Sequence, residues 1–178
     1  MAPTIWHLNA NQSDFMVRAK NSIIAYLDKS FNALSSSIAI ENKQLTHADL
    51  EFILDVNNKY GKFEPIDSNL KLKDYMNSQQ YPLVTFKSIS YEKVNENINF
   101  VKGYLTLNNI TKVVELDAKI VELENTSQFS KVLIEIIGEI NRYDFGLFSN
   151  SNIQNNGLLI GYNLNLTANL EFTTISPN

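Results

Sequence analysis

Cysteine is absent from the 178 residues, so disulfides, thiolate nucleophiles and cysteine-ligated zinc are excluded. Histidine is scarce: His7 and His47 are the only two, far apart in the chain. Neither sits in an HExxH or comparable spacing, so no metal centre is expected. No GxSxG elbow is present to support Ser–His nucleophilic chemistry. Charge is sparse too, at 19% of residues against roughly 25% in a typical domain. The net charge is −4, and basic residues do not interleave with an aromatic cluster, so the electrostatic footprint of nucleic-acid or anionic-membrane binding is missing. No apolar run approaches the roughly 20 residues of a membrane-spanning helix. The opening, Met1-Ala2-Pro3-Thr4-Ile5-Trp6-His7, lacks the basic stretch and apolar run of a secretory signal. A complete chain is therefore expected in the cytoplasm, and one that has lost a leader in the periplasm.

What is present is alternation. Hydrophobic residues make up 44%, and this length suits one domain, residues 1–178, with a sizeable core. Near the C-terminus, Tyr162, Leu164, Leu166, Ala168, Leu170 and Phe172 alternate without a break with Asn163, Asn165, Thr167, Asn169 and Glu171. A strand turns successive side chains to opposite faces, so this segment has one dry side and one wet side. Leu50, Phe52, Leu54 and Val56 form a second such row, and Val114, Leu116, Ala118 and Ile120 a third. Less regular strand candidates are 14–20, 33–40, 83–91, 99–107 and 130–140. The pattern is that of an antiparallel sandwich or barrel. The apolar rows either pack as a filled core or line a tunnel; periodicity alone leaves both open.

Turn-rich patches separate the strands: 57–61, 95–97, 155–157 and Asn108-Asn109, the last a hairpin signal because asparagine tolerates positive φ. Residues 67–76 abandon the period of two. Asp67 or Ser68 can cap a short helix there, with Leu72, Tyr75 and Met76 near one face. Glu122 and Glu124 share a strand face and read as a solvated edge rather than a catalytic pair. Arg142 and Asp144 lie two apart, so a strand would place them on one face as an ion pair, a hydrogen-bonded strand end, or a contact at a tunnel mouth.

Several segments together resemble one family. Tyr81-Pro82-Leu83-Val84-Thr85-Phe86-Lys87-Ser88 is followed by Gly103-Tyr104-Leu105-Thr106-Leu107-Asn108-Asn109-Ile110-Thr111-Lys112, and then by Arg142-Tyr143-Asp144-Phe145-Gly146. Trp6-His7-Leu8-Asn9, Ser13 and Phe15-Met16-Val17 open the chain, and Asp67-Ser68-Asn69-Leu70-Lys71 precedes the helix candidate. Their order and spacing resemble the YceI-like family over nearly the whole chain. Departures are Gln12 and Asn69 where the family has histidines, Asn109 where it has glycine, Val113 where it has proline, and Ala19-Lys20 at the end of the second strand.

The resemblance implies a mainly all-β, extended lipocalin-like antiparallel barrel with one short helix. It further implies non-enzymatic binding or transport of a long apolar ligand: a polyisoprenoid, a quinone-like lipid or a fatty acid. No cofactor beyond such a lipid, no nucleic acid and no transmembrane segment are expected, and a homodimer is left open. Phe52, Leu54, Phe86, Leu105, Leu116, Leu164 and Leu166 occupy the apolar rows that would hold the chain of the ligand. Arg142, Asp144 and Asn69 are the candidates for its head group. Ile23, Ile24, Tyr26 and Leu27 form either an interior strand or an exposed apolar patch suited to a partner or lid. The alternatives are an enzyme acting on an apolar substrate in the same cavity, and a filled barrel serving as a stress-associated interaction protein.

Overall fold

The terminal alternation becomes one long strand. A computed structural model of the chain describes residues 6–19, 22–28, 31–33, 36–55, 80–96, 98–127, 129–147 and 163–175. Among these the strands, in chain order, are β1 (His7–Leu8), β2 (Asp14–Ala19), β3 (Ser22–Asp28), β4 (Phe31–Ala33), β5 (Ser37–Glu41) and β6 (Gln44–Asp49). They continue with β7 (Glu51–Asp55), β8 (Leu83–Asn95), β9 (Ile98–Leu107), β10 (Ile110–Asn125), β11 (Phe129–Asn141) and β12 (Asn163–Ile175). Short 3₁₀ turns occupy Ala10–Gln12 and Arg142–Phe145. The helix expected at 67–76 lies outside the described residues, as do Asn69, Val56, Tyr162 and the turn patches at 57–61 and 155–157.

Among the described residues every ladder is antiparallel, the arrangement in which neighbouring strands can be joined by short hairpins. The main sheet runs β3-β2-β12-β11-β10-β9-β8-β7-β4, with β1 added beside β12. Its two edges, β3 and β4, are consecutive in sequence. Asp28 and Phe31 are three positions apart, which holds their Cα atoms within about 11 Å. A sheet whose two edges are tethered this closely must curl round on itself, as the barrel expectation requires. Both edges pack against the turn Ala10–Gln12.

The concave face carries the core. On β12, Leu164, Leu166, Ala168, Leu170 and Phe172 are buried, and on β11 so are Val132, Ile134, Ile136 and Ile140. Val84 and Phe86 of β8, Phe52 and Leu54 of β7, and Val101, Leu105 and Leu107 of β9 complete the wall. Fully burying such a side chain contributes roughly 1.5–3 kcal/mol, so these rows supply much of the folding free energy. The Asn108-Asn109 turn holds both residues at positive φ, 54° and 60°, as a two-residue hairpin of matching twist demands.

Two sequence expectations need correction, and one alternative left open is decided. Residues 33–40 are not one strand: β4 pairs with β7 and β5 with β6, and the two belong to different sheets. Arg142 and Asp144 do not sit on a strand. The Asn141 side chain accepts from the Tyr143 backbone N–H and Gly146 takes φ 66°, which starts and stops a 3₁₀ turn over Arg142–Phe145. With three residues per turn, positions two apart no longer share a face: Arg142 is buried and Asp144 exposed. The segment holding Ile23, Ile24, Tyr26 and Leu27 is the edge strand β3, paired with β2, and not an interior strand.

The hairpin β5–β6 was not expected as such. It turns at Asn42 and Lys43, both at positive φ, and packs β6 against β8 and β10. There the Tyr91 hydroxyl lies 2.7 Å from both the Leu45 carbonyl and Asn99 Oδ1, and donates its one proton into that pair of acceptors. Ser88 ties the hairpin down again: its backbone N–H donates to the Leu50 carbonyl and its hydroxyl accepts from the Leu50 N–H, each at 2.8 Å.

Candidate ligand cavity

The alternating strands put hydrocarbon on one face, and where they curl together they leave a void. A cavity of about 50 Å³ is lined by Phe15, Leu50, Phe52, Leu54, Val84, Phe86, Leu105, Val114, Leu116, Ile136, Gly138, Leu166 and Ala168. A second void of about 10 Å³ lies against Phe15, Val17, Val84, Leu105, Leu107, Leu164 and Leu166. Phe15, Val84, Leu105 and Leu166 belong to both, so the two voids follow one apolar wall. Among the described residues, none that lines either void carries a charge or a polar side chain.

Six of the sequence-derived candidates, Phe52, Leu54, Phe86, Leu105, Leu116 and Leu166, meet at the larger void, and Leu164 lines the smaller. Phe86 faces inward because the irregularities of β8 fall after it, between Ser88 and Ser90 and between Lys93 and Asn95. The head-group candidates are placed elsewhere. Arg142 folds back on its own turn, Nη1 donating to the Leu147 carbonyl at 3.1 Å and the guanidinium stacking 4.6 Å from the centre of the Tyr143 ring. Asp144 is exposed beside it. Phe145 and Leu147 are buried on the same segment, which the Asn108 side chain holds by donating to the Phe145 carbonyl at 3.1 Å.

Sequence reasoning missed several wall residues. Ala168 and Leu50 stood in alternating rows, which were enough to name them. Phe15, Val17, Val84, Ile136 and Gly138 fell in the less regular strand candidates, where the facing of each residue is not fixed by the pattern. What alternation does not supply is the level along the barrel at which the wall opens into a void.

The electrostatics of the cavity are those of a hydrocarbon. The two histidines are exposed, on β1 and β6, and line neither void. Among the described residues, no group of three His, Asp or Glu side chains is placed to hold a metal ion. One clear departure in acidity stands beyond the cavity, where burial pushes the Tyr91 phenol up from its ordinary value. A separate polar cleft of about 240 Å³, between the β5–β6 turn and β10, is lined by Lys43, Gln44, Glu96, Asn99 and Lys119 together with Leu45 and Ile120. Among the described residues no helix is long and apolar enough to cross a membrane.

Comparison with known proteins gives a consistent result. A family model described as the YceI-like domain matches residues 6–172. A UPF0312 protein of Pectobacterium atrosepticum is 28% identical over 104 residues, covering 58% of this chain and 54% of that protein. A UPF0312 protein of Yersinia enterocolitica is 29% identical over 103 residues, covering 58% and 53%. The chain thus spans about half the length of the curated relatives it matches. Among solved structures, Burkholderia cenocepacia BcnA superposes with a TM-score of 0.62 at 14% identity, covering 93% of this chain and 99% of that one. A Campylobacter jejuni YceI protein superposes with a TM-score of 0.55 at 20% identity, covering 83% and 82%. At these identities the likeness is one of fold.

Proposed function

The chain belongs to the YceI-like family, and from that premise we propose that its barrel binds an apolar ligand in the lumen and performs no chemistry on it. The observation that carries this reading is a void whose walls, among the described residues, are hydrocarbon and one glycine, with no titratable side chain in the lining. General acid–base or nucleophilic catalysis needs a polar group in hydrogen-bond reach of the reacting atom. A hydrocarbon wall offers only burial, worth roughly 0.8 kcal/mol per methylene, so a long chain is held by length rather than by charge. Polyisoprenoids, quinone-like lipids and fatty acids share that chemistry.

The void is small. A cavity of about 150 Å³ is what benzene fills, so the present 50 Å³ has to grow to accept a chain. Among the described residues no ladder joins β3 to β4, which makes that seam the line along which the walls separate at least expense in hydrogen bonds. The same small volume favours a second reading, in which the barrel is filled and acts through its surface. Native mass spectrometry with lipid extraction, on protein purified without detergent, separates the two. A stoichiometric lipid adduct is expected. Protein that carries no lipid and takes up none from mixed liposomes would leave the filled barrel standing.

A further inference from the structure

Among the described residues, the two glycines on the concave face of the sheet are not alike. A Cβ placed on Gly103 would lie 2.5 Å from the Lys87 carbonyl oxygen and 2.6 Å from Cζ of Phe86. Backbone cannot swing aside, so glycine there is a requirement of the sheet itself. On Gly138 the overlap is with Cδ2 of Leu116, and Leu116 Cγ stands 3.6 Å away. No backbone atom obstructs that position within 4 Å.

Gly138 sits on β11 directly across from Leu166 of β12, and both line the larger void together with Leu116. Leu116 therefore lays its terminal methyl in the hollow that the missing side chain leaves. From that position it also borders the larger void. A methyl at 138 would evict it, and the open direction is the void it already borders beside Val114 and Ile136.

We propose that Gly138 is a specificity-determining residue, a recess that parks Leu116 against the barrel wall and so sets the clearance of the lumen for an apolar chain. The inference rests on the apolar-ligand reading of the lumen and adds to it a residue that admits or excludes the ligand. An interior packed near crystal density has no slack, so one misplaced isobutyl group in a 50 Å³ void is enough to close it. Gly138→Ala is also a mild change for the fold, because the atom it meets is the far end of one flexible side chain.

The test uses the full chain, Gly138→Ala, and the double variant Gly138→Ala with Leu116→Ala, all checked for cooperative melting. The probe is cis-parinaric acid, followed by its fluorescence. Gly138→Ala is expected to weaken binding by about tenfold or more, as overpacking of this size does. The double variant should recover to within roughly threefold of the original, because the evicted group is gone. Equal binding in Gly138→Ala, or a double variant as weak as the single one, would overturn the proposal. Xenon, read through the methyl NMR shifts of Val114 and Ile136, measures the clearance without any lipid. If the original chain binds no cis-parinaric acid, the lipid reading falls, and xenon decides the role of Gly138 alone. Shifts lost in Gly138→Ala and restored in the double variant support the recess, while shifts identical in the original and Gly138→Ala refute it.

Discussion

Leu166→Trp puts the lumen to its most direct test. Leu166 borders both voids and pairs with Val17 on one side and Gly138 on the other, so its side chain stands where the two spaces meet. Indole brings about six more heavy atoms than isobutyl, and each ligand methylene it excludes forfeits about 0.8 kcal/mol. Exclusion of only half that number removes about 2.4 kcal/mol, or roughly a 50-fold loss of affinity. Overpacking itself destabilises by about 1–3 kcal/mol, against typical domain stabilities of about 5–15 kcal/mol, so the variant should still melt cooperatively. Val113→Trp, at a position 53% exposed on the convex face, is the control and should leave lipid content unchanged. Lipid content is read by native mass spectrometry and folding by thermal melting. A cooperatively folded Leu166→Trp protein that carries as much lipid as the original would refute the reasoning, since no chain can pass that point undisturbed.

Further outcomes follow from other parts of the molecule. Asn109→Gly should raise stability by roughly 0.5 kcal/mol in urea titrations, because the residue holds φ 60° and is exposed; a loss would mean that its side chain is needed. The Tyr91 phenol is raised above 10.0 by burial, so above that pH the unfolded chain gives up its proton first. Stability should therefore be complete below that range and fall as pH climbs through it, and Tyr91→Phe should flatten the slope measured by urea melts. The same variant should be less stable at neutral pH by about 1–3 kcal/mol, because the Leu45 carbonyl and Asn99 Oδ1 lose a donor. Replacing His7 and His47 together with Gln should leave cis-parinaric acid binding within a few-fold of the original. A turnover of bound lipid that disappears in that double variant would show an enzyme instead. Sedimentation at micromolar concentration should show a homodimer if the β3 edge pairs with a second copy, and a monomer removes that assembly.

Much of the fold was legible because alternation is a local signal. Each residue of β7, β10 and β12 reports its own face, and the Asn108-Asn109 pair reports a turn through the φ values it tolerates. The β5–β6 hairpin escaped for an equally local reason. Its register shifts between Ala39 and Ile40, so Leu45, Ala48 and Leu50 are buried at spacings of three and then two, and the period of two is erased. Its turn is Asn42-Lys43, a pair without the glycine that usually marks such a hairpin. Arg142 and Asp144 were misplaced because a two-residue spacing means a shared face only on a strand, and a cap at Asn141 had already ended β11.

The chain's own pattern thus settled which side chains turn to the apolar face, since that depends on nothing beyond neighbouring residues. Tertiary structure decided the rest. That β12 lies between β2 and β11, and that β3 and β4 become facing edges, follows from pairings between residues far apart in sequence. The volume of the lumen depends on how opposing rows interlock, a difference between large packed volumes that no single row contains. Leu116 reads in sequence as one more inward leucine; only its contact with a missing side chain on the next strand turns it into part of a wall rather than a plug.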